Sequence, residues 1–286
     1  PGNDTATYVD SPNGVTASLA LTGAQDTGEA GVDTLSSIEN LTGSAFNDTL
    51  TGNDGTNTLD GGVGGDTLIG AGGDDFYIVD NTGDVIVEAA GAGIDTVTTR
   101  LSTLVLASNV ENVVHIGAGS FNVTGNASNN HIEGTDSTDR IDGDGGTDTL
   151  VGYGSSDNYY VDDVADVVVE AEDGGLADRV FSSVGYVLAA NVENLNLTGS
   201  QSVDGSGNEL ENTIIGNSGA NVLNGGGGSD ELHRSLGNDS LFRGLGFGQL
   251  YGDAGDDFLH DGLNDDQLVG GEGDEVLEGP EAEVLL

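Results

Sequence analysis

Single apolar residues recur every nine positions in three blocks of the chain, and the residues between them are mostly glycine, aspartate and asparagine. When each nine-residue unit is numbered from its leading glycine position, sixteen units fit: four from residue 43, four from 125 and eight from 207. Position 8 is apolar in all of them: Leu50, Leu59, Leu68, Tyr77, Ile132, Ile141, Leu150, Tyr159, Ile214, Leu223, Leu232, Leu241, Leu250, Leu259, Leu268 and Leu277. In a chain that is only 35% apolar this regularity predicts a repeat architecture.

The local sequence of each unit predicts a short strand that follows a tight turn. A stretch such as residues 67–69 (Thr-Leu-Ile) is too short for a helix, and the six residues before it are turn formers. We expect each strand to direct one apolar side chain inward and two units to form one coil, which places residues 18 apart next to each other. Stacked coils then bury a ladder of Leu and Ile, so we predict an all-β solenoid.

Longer segments rich in Val, Thr and Ile separate the blocks, and they resemble each other. Three pairs of stretches match at an offset of 82 or 83 residues: 77–80 with 160–163, 84–88 with 166–170, and 109–112 with 191–194. We interpret them as wider coils of the same stack, with no helix. The predicted organisation is a clipped long segment at 1–42, nonapeptide blocks at 43–78, 125–160 and 207–278, long segments at 79–124 and 161–206, and a tail at 279–286.

The net charge of the chain restricts the classes of partner that it can bind. It carries 50 acidic residues against five arginines, for a formal charge of −45, which argues against nucleic acid and anionic lipid as partners. There is no cysteine, and no apolar run is long enough to span a membrane. No signal peptide follows Pro1, so we expect a fragment or a protein exported without an N-terminal signal.

The recurrence of aspartate at position 6 predicts sites that bind a cation. Residues 18 apart should stack, which places Asp48 next to Asp66, Asp139 next to Asp157 and Asp239 next to Asp257. Unit charges about 4.8 Å apart repel by roughly 1 kcal/mol in water and about 3–4 kcal/mol at an effective dielectric of 20. Calcium prefers several carboxylate and carbonyl oxygens, so we expect several calcium ions and a chain that folds when it binds them.

These units resemble the RTX (repeats-in-toxin) calcium-binding family, and unit 61–69 (Gly-Gly-Val-Gly-Gly-Asp-Thr-Leu-Ile) meets every position of its motif. The resemblance implies a parallel β-roll or β-helix solenoid with calcium between its turns, and export through type I secretion. The tail, Glu-Val-Leu-Leu at 283–286, is similar to the end of some type I substrates. By the resemblance the calcium ligands are Asp48, Asp66, Asp75, Asp139, Asp148, Asp157, Asp230, Asp239, Asp257 and Asp266.

Departures from the motif predict uneven sites. Four units carry a neutral Asn at position 6: Asn57, Asn130, Asn212 and Asn221. For these units, stacking without metal is as good an interpretation as calcium binding. In the third block Gly248 removes a ligand, while Arg234 and Arg243 replace the leading glycine. There we expect the best sites near 221–239 and 252–260. The acidic residues of the long segments are interpreted as solvated, and Tyr77 and Tyr159 as ends of the core.

We found no G-x-S-x-G, H-E-x-x-H, phosphate-loop or dinucleotide motif, so we do not expect an enzyme. The first hypothesis is a secreted, extracellular calcium-binding module that serves a structural, adhesive or spacer role in a larger exported protein, with a cell-surface or matrix partner. The alternative is the C-terminal repeat region of a type I-secreted enzyme or toxin whose active domain lies elsewhere. Polysaccharide binding is a third hypothesis, disfavoured by the lack of tryptophan.

Overall fold

The computed structural model describes residues 2–246, 248–262, 267–279 and 283–285. Its regular secondary structure is short β-strands separated by turns, and the one helical element in these residues is a 3-10 helix at Gly28–Ala30. By their contacts the residues form two compact units, Pro1–Thr135 with Gly143–Asp148, and Asp136–Asp142 with Thr149–Leu286. No helix in the described part of the chain is long and apolar enough to cross a membrane.

The first unit contains fifteen strands, most of them three or four residues long. They are β1 (Thr5–Thr7), β2 (Thr16–Ser18), β3 (Gln25–Asp26), β4 (Val32–Asp33), β5 (Asn40–Thr42), β6 (Thr49–Thr51), β7 (Thr58–Asp60), β8 (Thr67–Ile69), β9 (Phe76–Val79), β10 (Val85–Val87), β11 (Thr96–Thr99), β12 (Thr103–Val105), β13 (Asn112–His115), β14 (Asn122–Thr124) and β15 (His131–Thr135).

The second unit continues the same kind of strand to the end of the described residues. Its strands are β16 (Arg140–Asp142), β17 (Thr149–Tyr153), β18 (Asn158–Val161), β19 (Val167–Glu170), β20 (Arg179–Ser182), β21 (Tyr186–Val187), β22 (Asn194–Leu197), β23 (Gly205–Ser206), β24 (Thr213–Ile215), β25 (Val222–Asn224), β26 (Glu231–His233), β27 (Ser240–Phe242), β28 (Gln249–Tyr251), β29 (Phe258–His260), β30 (Gln267–Val269), β31 (Val276–Glu278) and β32 (Glu283–Leu285).

In each unit most strands pair in parallel with the strand two places along the chain, as a coil requires; β1 and β2 pair instead with β5 and β6, four places along. In the first unit one sheet has the order β1-β5-β7-β9-β11-β13-β15, a second β10-β8-β6-β2, and β12 pairs with β14. In the second unit one sheet runs β16-β18-β20-β22-β24-β26-β28-β30-β32, another β21-β23-β25-β27-β29-β31, and β17 pairs with β19. The predicted all-β parallel solenoid is confirmed. The exception is an antiparallel pair, β3 with β4, which the periodicity did not indicate.

The predicted 18-residue stacking is confirmed in the nonapeptide blocks. Thr49 pairs with Thr67, and Ser240 pairs with Phe258. Most three-residue strands of these blocks bury the central residue and leave the flanking two partly exposed, as in β8. The position-8 side chains form the core: all of them have no exposed area except Leu277, in the last unit.

The long segments also form coils, with a variable number of residues per turn. Asp75 and Asp95, which lie on successive turns, are 20 residues apart, and their equivalents Asp157 and Asp178 are 21 apart. The next turns are shorter, because Glu111 follows Asp95 by 16 residues. The sequence match of 77–80 with 160–163 suggested that Tyr77 and Tyr160 are equivalent, but in the structure they are not. The structural equivalent of Tyr77 is Tyr159, because each is fully buried and donates a hydrogen bond to a glutamate 11 residues later.

Replacement of Leu68 by alanine should destabilise the chain by about 2–5 kcal/mol, because it leaves a cavity in the core. Leu68 has no exposed area and is paired between Leu50 and Ile86. Urea unfolding in calcium, followed by circular dichroism, measures the loss. Val63→Ala is the matched control, since Val63 lies in the same unit and is 66% exposed. Equal midpoints for the two variants would contradict the assigned core.

Candidate metal centre

The aspartates at position 6 lie inside the solenoid, directly after the glycine-rich turn of each unit. Nine of the ten predicted ligands are among the described residues, and none is more than 3% exposed: Asp48, Asp66, Asp75, Asp139, Asp148, Asp157, Asp230, Asp239 and Asp257. Asp266, the tenth, lies outside the described residues. A buried carboxylate requires hydrogen-bond donors or a cation, so the surroundings of these oxygens determine what the turns can bind.

In most of these carboxylates one oxygen accepts a backbone hydrogen bond from the preceding turn. The backbone N–H of Asp48 donates to Asp66 Oδ1 at 2.8 Å, that of Asp139 to Asp157 Oδ1 at 2.7 Å, and that of Asp239 to Asp257 Oδ1 at 3.0 Å. The three stacked pairs expected from the sequence are therefore adjacent. Backbone N–H groups also donate to these carboxylates, and these hydrogen bonds offset part of the repulsion between them. The sequence alone did not indicate them.

The second oxygen of several of these carboxylates accepts no hydrogen bond from any described residue. This holds for Oδ2 of Asp66, Asp75, Asp157 and Asp230, each shielded from solvent. Asp48 differs, because its Oδ2 accepts from the backbone N–H of Ser44 at 2.6 Å and its Oδ1 from that of Val15 at 2.6 Å. Open, buried anionic oxygens are the feature that a cation would complete.

The leading glycines shape the space around these oxygens. The backbone φ of Gly61 and Gly225 is ordinary, but a Cβ on either would overlap Oδ2 of its own aspartate, Asp66 or Asp230. At Gly225 the carbonyl oxygen of Arg243, one turn on, lies against the same space. Carboxylate and carbonyl oxygens thus converge beside a residue that has no side chain. This donor set fits calcium, which takes hard oxygen ligands of both kinds.

The asparagines at position 6 form a ladder of another kind. Their Oδ1 atoms accept from the backbone within their own turns, and their Nδ2 groups donate to carbonyl oxygens of the preceding turn: Asn57 to Glu39 at 2.8 Å, Asn130 to Val110 at 2.9 Å, Asn212 to Val192 at 3.1 Å and Asn221 to Val203 at 2.7 Å. In these turns the side-chain amide N–H donates to the carbonyl oxygens, which in an aspartate turn would be free to bind a cation. These turns correspond to the neutral alternative left open by the sequence.

Two clusters of carboxylates lie where a nonapeptide block gives way to a long segment. Asp75, Glu88 and Asp95 form one, and the equivalent residues Asp157, Glu170 and Asp178 form the other, with candidate ligand atoms within 4.8 Å of one another. Tyr77 donates a hydrogen bond to Glu88, and Tyr159 to Glu170. A Cβ on Gly70 would overlap oxygens of Asp75, Glu88 and Tyr77, so the glycine again leaves an open cradle.

The interpretation of the long-segment acidic residues as solvated was wrong at these positions. Asp95 is 1% exposed, Asp178 has no exposed area and Glu170 is 9% exposed. The 82-residue repeat contained a signal, because the stretch that ends in Glu88 recurs as the one that ends in Glu170. The pairing of Asp75 with Asp95 follows no nine-residue period and required the coil geometry. The tyrosines belong to the core, as expected, and their hydroxyls also reach the clusters.

Burial dominates the electrostatics of both clusters. It raises the pKa of Asp75 to about 7 and that of Asp95 to about 6, with smaller contributions from neighbouring carboxylates. In the second cluster it raises the pKa of Asp157 to about 8 and that of Glu170 to about 7. Without a cation, such carboxyl groups retain protons at a pH where exposed carboxyl groups have lost theirs.

The comparison with known families agrees with this geometry. A family model described as the RTX calcium-binding nonapeptide repeat matches residues 33–68, 42–77, 51–86, 122–164, 206–241 and 244–279. The chain belongs to the RTX calcium-binding repeat family. RTX repeats bind Ca²⁺, so the resemblance and the cofactor predicted from the sequence are both confirmed. A comparison with curated protein sequences gave no match.

The calcium-free RTX chain should be more stable near about pH 5 than near about pH 8. Asp157 and Glu170 have raised pKa values in the folded state, so the protons that they hold stabilise it below the ordinary carboxyl pKa of about 4. This contribution is lost as the pH rises through the raised values of about 7 to 8. Urea midpoints in chelator, measured across this window, test the sign.

Asp157→Asn is the matched control, because the chain itself uses asparagine at position 6 and the amide does not titrate. Its midpoint should depend less on pH than that of the wild type. The general repulsion of a chain with charge −45 acts equally on both proteins and does not separate them. An identical slope for the two would refute the assignment of the raised pKa to this cluster.

Proposed function

We propose that the chain is an extracellular structural module whose solenoid becomes rigid when calcium binds in its turns. The observation that carries this proposal is the set of buried position-6 oxygens that face a glycine cradle and accept no hydrogen bond from the described residues, at Asp66, Asp75 and Asp157. An uncompensated buried carboxylate strongly destabilises a folded state, whereas one that binds a cation does not. Calcium binding is therefore coupled to folding.

The proposed ligands are the position-6 aspartates of the first two blocks, together with backbone carbonyl oxygens of neighbouring turns. The carboxylate clusters extend this set to Glu88 and Asp95, and to Glu170 and Asp178. We expect these clusters to bind most tightly, because each offers three carboxylates where an ordinary turn offers one or two. Asp48 is the weakest candidate, since both of its oxygens already accept hydrogen bonds.

The proposed role is mechanical: a spacer or adhesive module in a larger exported protein, with a cell-surface or matrix partner. RTX repeats are typical of exported proteins, and calcium sites that bind at about 10⁻⁴–10⁻³ M respond to the extracellular medium. The charge of −45 favours partners other than nucleic acid. Support for a non-catalytic module comes from the acidic residues of the turns, which are occupied in the ladder rather than placed around an open cleft.

The alternative is the repeat region of a type I-secreted enzyme or toxin whose active domain is encoded beside it. Both proposals require calcium-coupled folding, so the two differ in the flanking sequence and in what the chain binds. A hydrolase or protease motif in the adjoining reading frame favours the alternative. Calcium-dependent binding of the isolated chain to cell surfaces or matrix favours the adhesive role.

Calcium should increase the β signal in far-UV circular dichroism, whereas magnesium should not. Magnesium requires tighter octahedral geometry and retains its waters, so turns built from carbonyl and carboxylate oxygens favour calcium. A titration of each ion into chelator-treated chain measures the difference. An unchanged spectrum in calcium, or an equal response to magnesium, would contradict calcium-coupled folding.

Asp66→Ala should lower the number of calcium ions bound by about one and weaken binding in the first block alone, because solenoid turns contact only their neighbours. Isothermal titration calorimetry gives the stoichiometry, and hydrogen exchange of peptides from 43–78 and 207–246 shows where the loss falls. Asp54→Ala is the control: it removes the same charge from an exposed position in the same block. A uniform loss across all blocks counts against the proposal.

A further inference from the structure

Two arginines in the third block are buried where most other units have a leading glycine. Arg234 is 1% exposed and Arg243 has no exposed area, and both occupy position 1 of their units. A guanidinium retains its charge at all ordinary pH values, and a charge removed from water requires close compensation. The contacts of these two side chains therefore show what this part of the solenoid offers to a cation.

The guanidinium of Arg234 lies between the position-6 carboxylates of two successive turns. Its Nη1 donates to the carbonyl oxygen of Gly237 at 3.0 Å and to Asp239 Oδ2 at 3.3 Å. Nη1 also donates to Asp257 Oδ1, and Nη2 forms an ion pair with Asp257 Oδ2. The side chains of all three charged residues have no exposed area.

Other turns contain the same kind of acceptor oxygens, but at several of them no described side chain donates a hydrogen bond to the second carboxylate oxygen. Two carboxylates and a backbone carbonyl surround Arg234, whereas Oδ2 of Asp66 and Asp157 accepts no hydrogen bond from the described residues. The expectation of the best third-block calcium sites near 221–239 and 252–260 conflicts with this geometry, because a protein cation already lies between Asp239 and Asp257.

The side chain of Arg243 lies beside position 6 of its own unit, which is a glycine. Position 6 of that unit is Gly248, and a Cβ there would lie 2.7 Å from Arg243 Cδ and 3.2 Å from its Cγ. The arginine therefore uses space that an aspartate would need. Its Nε donates to the carbonyl oxygen of Asp261 at 2.8 Å. Burial raises the pKa of Asp230, and the charge of Arg243 offsets part of that rise.

We propose that Arg234 and Arg243 are fixed cations that take the place of calcium in the turns built from residues 230–261, so that these turns keep their fold when calcium is removed. The inference rests on the proposed function for the other turns, which bind calcium. A covalently attached charge cannot be removed by a chelator, and a planar guanidinium can contact two carboxylates at once.

Hydrogen exchange of the full chain in chelator tests the proposal directly. We expect backbone amides in 230–246 and 248–261 to exchange at least about tenfold more slowly than those in 43–78 and 125–160. Added calcium should then protect all the blocks. Equal exchange in every block without calcium, followed by equal protection with it, overturns the inference while the proposed function stands. Blocks that do not respond to calcium overturn the proposed function instead.

Arg234→Gly restores the leading glycine opposite Asp239 and should convert this position into a calcium site. We expect about one additional calcium ion per chain by calorimetry, and loss in chelator of the protection around 234–242 that the wild type shows. Arg100→Gly is the control, because it removes the same charge from an exposed position. An Arg234→Gly chain that binds no additional calcium overturns the proposal for this position, whether or not the chain folds.

The exchange at Arg243 supplies a second, independent variant. Arg243→Gly combined with Gly248→Asp restores the repeat pattern and should also add about one calcium ion, since a carboxylate then replaces the guanidinium. Gly248→Asp alone should destabilise the chain, because the new side chain meets Arg243. A double variant with unchanged stoichiometry, or a single variant as stable as the wild type, overturns the proposal for Arg243.

Discussion

Most described turns of the nonapeptide blocks bury a polar group at position 6, and the next turn commonly buries another directly against it. Asp139 and Asp157 are in hydrogen-bond contact through the backbone of one and the carboxylate of the other, and neither is more than 1% exposed. Parallel stacking that lets Leu and Ile form a continuous core also aligns these anions, so the apolar core and the acidic ladder cannot be separated. The stability of the fold therefore depends on how the ladder is neutralised.

The buried polar groups of the ladder are neutralised in three ways. Asparagine turns are neutral, and the amide of Asn130 donates to the preceding turn. Aspartate turns leave an oxygen open beside a glycine, as at Asp66, and these are the turns suited to calcium. In the third block, Arg234 places a permanent positive charge between two carboxylates. The distribution of Asn, Asp and Arg along the ladder thus sets how much each part of the solenoid depends on the ion.

A division of this kind gives the polyanionic chain a graded response to calcium. Turns with open carboxylates are strongly destabilised by repulsion and desolvation until an ion binds, whereas turns with asparagine or arginine are not. The two carboxylate clusters, around Asp75 and Asp157, are the most demanding positions, because three buried acidic groups share each of them. We therefore expect calcium to act mainly where a block meets a long segment and in the aspartate-rich turns of the first two blocks.

The period of nine residues was sufficient to predict the strands, the 18-residue stacking and the buried position-8 ladder, because these depend on local turn chemistry and on repetition. The same period indicated Asp66 and Asp157 as candidate ligands. It could not indicate Asp95 or Asp178, which reach the clusters through coils of 20 and 21 residues, nor show that Arg234 enters the ladder rather than pointing to solvent. Those contacts depend on how many residues each coil uses and on which space a neighbouring side chain leaves free. Composition and spacing along the chain determined the architecture and its need for cations, whereas only the stacked turns decided which cation each position takes.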